Sequence, residues 1–578
     1  MRNSVHAVAL VVAIAAAGTA RGEGKGAERL TPTRDRSLAA RIATLCAEWD
    51  TPGSPGLSVA VARHGAVVYE HAVGSANLEL GAPITAASVF QVASVSKQFT
   101  AMSVLILEQR GLLSIDDEVR KYLPELPVYG TPLTIRHLLT HTGGLRDVYT
   151  LHQALAAPAE DSGSWNDILV RRLAAQRGLN FAPGTDFQYN NGGYILLAAI
   201  VSRVSGLSLQ EFLDLNVFKP LGMNSTRLDD DPPRLVRNRV TGYARAGDKW
   251  RRAREEITRP GSGGNTGILS TAHDLLLWEN NFADGKVGGP ALLTRMTTPF
   301  VLAGGATLPY GLGVWVMDDR GRKTIQHGGN APGFSTQTVY YPDDRLAIIV
   351  LANFGGFDAP GFARKIADVC LGDVSASSGT VPPAVSPPTE PLEAKAGIYQ
   401  QAGGGPFMHL FVRDGALRWS RGIAARGSLE MVPLAEQRFV IPGAVPLYFE
   451  FSSDEPDGRL RCRTTSPAQA PAVFERVDPL TPSTRDWREY AGDYSSTELE
   501  VTYGVVERDG GLVVRVPGRA GYILEPCGRD LFQTSGGEAF RFERDSSGRV
   551  VGLTFMSNGV WRLGFTRGAL ALTDPTLR

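Results

Sequence analysis

Residues 91–102 read QVASVSKQFTAM and place a lysine three residues after a serine, at the mouth of an apolar stretch. Phe99, Ala101, Met102, Val104, Leu105 and Leu107 follow Lys97. A helix this apolar belongs in a core, and an ammonium group inside it needs a reason. Residues i and i+3 share a helix face. If Ser94 opens a helix over 94–110, closed by Gly111, Lys97 sits one turn in and reaches the hydroxyl. The positive end of the helix macrodipole then favours an alkoxide on Ser94 and disfavours a charged amine on Lys97. Burial lowers the lysine pKa as well. A neutral lysine can take the serine proton, which turns a hydroxyl into a nucleophile. The pattern is short, however, and a capping serine with a snorkelling lysine is spelled the same way. The catalytic reading needs partners.

Two partners follow in the chain. FQYNNGGY (187–194) holds Tyr189-Asn190-Asn191 just before a helix expected over 192–205, closed by Gly206. IQHGGNAPGF (325–334) holds His327-Gly328-Gly329 beside an expected strand. The ordered set SxxK, YxN and HxG resembles the serine β-lactamase and penicillin-binding-protein superfamily. Within it the chain is similar to the class C β-lactamase-like, S12-type branch, which holds class C β-lactamases, D,D-carboxypeptidases, D-aminopeptidases and esterases. LTIRHLLTHTGGL (133–145), VFKPLGMNST (217–226) and GILSTAHDLLLW (267–278) add to the resemblance, which covers residues 36–371.

The resemblance implies roles. Ser94 is the acylated nucleophile, and Lys97 and Tyr189 share the acid and base work. A cationic lysine beside Tyr189 would lower its phenol pKa. Asn191 holds the lysine amine and a substrate amide oxygen. The strand of His327, Gly328 and Gly329 flanks the substrate, its glycines allowing close approach. The N–H groups of Ser94 and Asn330 form the oxyanion hole. The branch needs no cofactor. One departure matters: the usual third motif is Lys-Thr-Gly or Lys-Ser-Gly, whose cation and hydroxyl bind substrate carboxylates. Here His327 is expected to be only partly charged near neutrality, and Gly328 has no hydroxyl. The expectation is therefore a serine hydrolase of small amides, D-amino-acid peptides or esters, with cell wall as one source. A class C-type β-lactamase or D,D-carboxypeptidase is the alternative enzyme. A penicillin-recognising sensor without turnover is the alternative from another class, and it would have no need of the proton-relay residues.

The rest of the first region reads as mixed α/β. A helix near 36–49 precedes LSVAVARHGAVVYEHAVG (57–74), an apolar/polar alternation about His64-Gly65 that predicts a hairpin. Ser208 with Glu211 and Thr271 with Asp274 spell capping boxes. STQTVYYPDDRLAIIVLAN (335–353) predicts a second hairpin, before a helix at 360–371. Strands at both ends predict an antiparallel sheet closed by the two extremes of the region. If the first and last helices pack on one face, Cys46 and Cys370 come close enough to pair. His137 and His141 have a metal-compatible spacing, but no Glu follows His137, and no HExxH, P-loop or GxSxG elbow occurs.

Residues 374–391, VSASSGTVPPAVSPPTEP, read as a linker. Beyond it the chain repeats itself. AGIY (396–399) returns as AGDY (491–494), and RDGALRW (413–419) as RDGGLVV (508–514). Short β runs around Asp-Gly turns predict two successive all-β barrel-like domains, 392–480 and 484–578. A D-aminopeptidase type within the superfamily carries such a pair, and neither copy here shows a catalytic constellation.

The 578 residues are 43% hydrophobic, with a formal net charge of zero. No basic run suggests nucleic acid. Residues 1–22, with Arg2 before a short apolar core and Gly18-Thr19-Ala20 at its end, predict a signal peptide and a periplasmic or extracellular protein. No later segment has membrane-spanning length, and nothing in the sequence indicates an oligomeric state.

Overall fold

The computed structural model describes residues 32–51, 53–154, 164–231, 234–253, 263–372, 390–421, 428–442, 446–453, 459–466, 469–477, 487–518, 521–557 and 559–568. The expected signal peptide, nearly all of the linker and the boundary at 479–484 lie outside the described residues.

In chain order the elements that build the site are α1 (Pro32–Cys46), β1 (Leu57–Arg63), β2 (Ala66–Val73), α2 (Ser96–Gln109), α3 (Val148–Ala154), α4 (Asn191–Ser205), α5 (Ala272–Asp284), β3 (Trp315–Asp319), β4 (Arg322–Ala331), β5 (Phe334–Tyr341), β6 (Leu346–Ala352) and α6 (Ala359–Leu371). The strands form one antiparallel sheet in the order β3-β4-β5-β6-β1-β2. β1 pairs with β6 from Leu57↔Ala352 to Arg63↔Leu346, so the two ends of the region do close the sheet.

β5 and β6 are buried throughout, because helices cover both faces of the sheet centre. The pleat sorts the side chains by alternate residues. Ala347, Ile349 and Leu351 join the core that holds α2. Leu346, Ile348 and Val350 join a second layer with Ile42 of α1 and Ile366 of α6. Cys46 and Cys370 lie in that second layer, as the helix packing predicts, yet both are free thiols. Burial pushes each thiol up to about 12, which keeps it protonated and unreactive.

Ser208 and Glu211 form the expected capping box. Thr271 caps α5, but Asp274 turns away to accept from the backbone N of Ser225 and the hydroxyl of Thr226, each at 2.8 Å.

The tail holds a nine-stranded antiparallel sheet, from Gly397–Gln401 to Gln469–Arg476, and a closed eight-stranded barrel, from Gly492–Ser496 to Leu563–Arg567. The repeated words have structural causes. Asp414-Gly415 and Asp509-Gly510 all take positive φ, the conformation that tight type I′ hairpins need. Tyr399 donates to the Lys395 carbonyl and Tyr494 to the Tyr490 carbonyl, both at 2.8 Å. The barrel docks on α3, whose Leu151 and Ala154 enter the barrel's own core. Tyr503 donates to the Ala154 carbonyl, and Arg146 pairs with Glu498 at 2.6 Å.

Candidate active site

From Ser88 to Leu107 every residue except Ser94 is buried. Ser94 does not open the α-helix, as the spacing suggests. It sits in a 3-10 turn, Ala93–Val95, that precedes α2. Ala93 has φ of +48°, an unusual value for a residue with a side chain. The turn is held from outside: Val92 N donates to Ile268 O at 3.0 Å, and Ser96 Oγ accepts from Ile268 N at 3.1 Å. Of the two serines in SVS, one is therefore structural and the other is presented to solvent.

Lys97 is completely buried. Its Nζ lies 3.1 Å from Ser94 Oγ, 2.9 Å from Asn191 Oδ1 and 2.8 Å from the Asn265 carbonyl. Burial lowers its pKa well below the ordinary lysine value, against an opposing pull from the Asp147 carboxylate. A neutral amine has two N–H bonds and one lone pair. Asn191 Oδ1 and Asn265 O can only accept, so they take the two N–H bonds. In that neutral form the lone pair faces the Ser94 hydroxyl, the arrangement a general base requires.

Tyr189 lies under the same amine, with its ring centroid 4.8 Å from Nζ, and its hydroxyl is hydrogen-bonded to Ser94. Its pKa moves opposite to the sequence expectation. Burial pushes the phenol up, more than the Ser94 bond lowers it. No cationic pull from Lys97 offsets this burial. Asn190, between the two motif residues, caps α4 by accepting from Gly193 N at 3.0 Å and donates to Leu145 O at 2.7 Å.

The structure brings His327 to the site in a different role. It is buried, with Nδ1 at 2.7 Å from Gly328 O and Nε2 at 3.2 Å from the Tyr310 hydroxyl. Burial, with the lysine beside it, pushes its pKa down to about 3, so it is neutral, not partly charged. The glycines also differ from expectation. A Cβ on Gly329 would stand 2.3 Å from Val92 O and 3.2 Å from Ser94 N, so this glycine lets β4 pack on the nucleophile turn. Gly328 faces Gln337 on the far side. β4 runs past its last pairing with β3, Trp315↔Gln326, which leaves residues 327–331 as an open edge. The exposed Asn330 lies there.

Reading motifs missed four contributors. The Asn265 carbonyl carries no side-chain signal. Tyr149, which accepts from Asn265 Nδ2 at 2.7 Å, and Tyr310 stand in no recognised word. His141 was visible as half of a metal-like spacing and inside the word 133–145, with no role assigned. Its ring nitrogens are engaged instead by Asn190 N at 3.1 Å and the Tyr310 hydroxyl at 3.2 Å, while His137 Nδ1 accepts from Thr134 N at 3.2 Å. Among the described residues no group of three or more His, Cys, Asp and Glu could hold a metal, and no single helix is long and apolar enough to cross a membrane.

A cavity of about 600 Å³ opens beside Tyr189. Asp147, Asp186 and Trp315 line it from the first region, Phe407 and Trp419 from the nine-stranded sheet, and Trp561 from the barrel. No Lys or Arg is among the described residues that line it. Burial raises the pKa of both carboxylates above the usual value. The tail thus supplies part of the wall without adding to the proton-transfer groups.

The family model described as Beta-lactamase matches residues 42–371. A D-aminopeptidase of Brucella melitensis biotype 2 (strain ATCC 23457) is 28% identical over 523 residues, 88% of this chain and 94% of that one. That match is too long to be confined to the first region. Penicillin-binding protein 4* of Bacillus subtilis (strain 168) is 32% identical over 312 residues, 51% of this chain and 67% of that one. Among solved structures, EstCE1, described as a hydrolase with promiscuous acyltransferase activity, aligns with a TM-score of 0.51 at 26% identity, over 59% of this chain and 100% of that one.

Proposed function

The chain belongs to the Beta-lactamase family and is a serine hydrolase of it, and from that premise we propose that it cleaves small amides, D-amino-acid peptides or esters through an acyl-enzyme on Ser94, with a preference for substrates that carry a free ammonium group. The observation that carries this reading is the placement of the buried Lys97 Nζ, 3.1 Å from Ser94 Oγ, with its other two neighbours, Asn191 Oδ1 and Asn265 O, able only to accept.

Lys97 takes the hydroxyl proton as Ser94 Oγ attacks the scissile carbonyl. The developing oxyanion meets the N–H groups of Ser94 and Asn330. Tyr189, held as a phenol, hands its proton to the departing amine or alkoxide and is reprotonated from Lys97. Water then enters by the reverse route and releases the acid. The substrate lies along the open edge of residues 327–331, as an added strand does, and Asn191 takes a substrate amide oxygen.

Charge selects the substrate. A neutral His327 gives no cation for a substrate carboxylate. The cavity offers two acidic side chains among aromatic faces, surroundings that favour an ammonium group. This argues for aminopeptidase- or amidase-like substrates, in line with the D-aminopeptidase relative, over β-lactams and carboxy-terminal peptides. We place the enzyme outside the cytoplasm on the strength of residues 1–22.

The test is direct. A fluorophosphonate should label one tryptic peptide, at Ser94, and Ser94→Ala should abolish both labelling and turnover. Among p-nitroanilides and p-nitrophenyl esters, D-aminoacyl compounds with a free amine should turn over faster than their N-acetylated forms. Label on another serine would overturn the mechanism, and equal rates with and without the amine would overturn the selectivity.

A further inference from the structure

Four contacts run in line through the wall of the site. Asn190 N lies 3.1 Å from His141 Nδ1, His141 Nε2 lies 3.2 Å from Tyr310 Oη, Tyr310 Oη lies 3.2 Å from His327 Nε2, and His327 Nδ1 lies 2.7 Å from Gly328 O. Both ends have a fixed sense. A backbone N–H only donates, so His141 Nδ1 is a lone pair and its proton sits on Nε2. A carbonyl only accepts, so His327 Nδ1 carries a proton and its Nε2 is the lone pair. Tyr310 stands between, taking a hydrogen bond from His141 and giving its own to His327. The adjacent Tyr194 gives its proton to Leu139 O at 2.7 Å and also offers its oxygen to Tyr310 as a second acceptor; the Tyr310 proton belongs on His327 because Nε2 there would otherwise be a buried lone pair with no donor. His141, Tyr310 and His327 are all buried, so no bulk water stands in for a missing partner.

The two ends belong to the two walls of the site. Asn190 separates Tyr189 from Asn191, and Gly328 lies on the open edge of β4. Tyr310 is braced by Trp315, with ring centroids 4.8 Å apart. We infer that this one-way hydrogen-bond chain locks His141 as its Nε2–H tautomer and His327 as its Nδ1–H tautomer, and that His141 and Tyr310 are positioning residues that hold the substrate-bearing edge of β4 in register with the Tyr189 loop. The partner of one ring nitrogen sets the tautomer of a histidine; for His327 that partner is the Gly328 carbonyl on Nδ1, and the Nε2 lone pair this leaves is met by Tyr310, a tyrosine that neither recognised motif contains. The inference rests on the serine-hydrolase reading for its kinetic arm alone.

The full chain labelled with 15N-histidine tests it by long-range 1H–15N correlation at pH 7, with His327→Asn and His141→Gln used to assign the two rings. The expected spectrum shows two neutral rings of opposite tautomer, Nδ1–H for His327 and Nε2–H for His141. An imidazolium at either position, or His327 protonated on Nε2, overturns the chain whether or not the protein is active. Tyr310→Phe keeps the ring and removes the link. It should shift the His327 Nε2 signal through loss of its hydrogen bond while Nδ1–H persists, and lower kcat/KM on the best amide by about 10- to 100-fold, as small misplacements at a reacting centre do. Unchanged histidine signals in that variant, or moved signals with unchanged kcat/KM, overturn the positioning role. If the variant does not fold, the wild-type tautomers still decide.

Discussion

Asn191 Oδ1 accepts from Lys97 Nζ at 2.9 Å, joining the first turn of α4 to the first turn of α2. This contact helps decide which way the lysine lone pair points. Asn191→Asp would place a carboxylate there instead. An adjacent negative charge favours the protonated amine, and an ammonium ion cannot take the Ser94 proton. The acid limb of the kcat/KM profile should therefore move to higher pH, with activity at neutral pH reduced by about 100-fold or more. A profile of kcat/KM against pH for both proteins is the measurement. An unshifted limb would show that Lys97 is not the base.

Glu279 of α5 is fully buried on the face that meets β5, and burial raises its carboxyl pKa to about 8. The Thr338 hydroxyl lowers that value only in part; neither carboxyl oxygen completes a hydrogen bond of ordinary geometry. The folded state keeps its proton up to about pH 8, whereas the unfolded chain loses it near the ordinary glutamate pKa of about 4.3. The native state thus binds more protons across that window, and stability falls as pH rises through it. Glu279→Gln keeps the shape and removes the titration. Urea unfolding at about pH 5 and pH 9 should show Glu279→Gln gaining on the wild type with pH, by a few kcal/mol at the upper end. A constant difference would contradict the buried acid.

Legibility followed the carrier of each feature. Ser94, Lys97, Tyr189 and Asn191 act through side chains in fixed words, so their meeting around one amine could be anticipated. The Asn265 carbonyl that completes the amine's surroundings is a backbone atom that any residue supplies. The charge of His327 and the acidity of Tyr189 were misread for one reason: both depend on burial, which motif spelling does not encode. The sheet was readable because the alternation about His64-Gly65 and the run 335–353 place a hairpin at each end of the region. The barrel's seat on α3 was not, because Tyr503 and Glu498 resemble ordinary strand and turn residues until their partners more than three hundred positions away are known.

Arg146 and Glu498 are such partners. The arginine is 6% exposed and the glutamate 17%, and Arg146 also donates to Gln176 Oε1 at 3.0 Å and to the Arg562 carbonyl. Removing one member of a buried pair leaves the other charge uncompensated, at a cost of about 3–5 kcal/mol. Glu498→Ala should lower the melting temperature clearly. It should also reduce activity, because Arg146 lies between Leu145, which holds Asn190, and Asp147, which lines the cavity. Arg146→Met with Glu498→Leu should recover most of the stability, since apolar replacement of both members removes the stranded charge. Calorimetry on the single and double variants decides. A single variant as stable as the wild type would mean that the pair does not hold the barrel in place.

Asp186 tests substrate charge without touching the nucleophile. It lines the cavity beside Tyr189, and its Oδ1 accepts from Phe187 N at 2.7 Å. Burial raises its pKa, while bonds from Phe187 and from Gln401 of the nine-stranded sheet lower it in part. Asp186→Asn keeps the volume and most of the hydrogen bonding but removes the charge. For a D-aminoacyl p-nitroanilide with a free amine, KM should rise by about 10-fold, the effect of losing one hydrogen bond to a charged group. For the N-acetylated compound or a neutral p-nitrophenyl ester, KM should change little, and kcat should hold for both because Lys97 and Ser94 are undisturbed. Equal losses on charged and neutral substrates would assign Asp186 to the cavity's shape and remove the basis for ammonium recognition there.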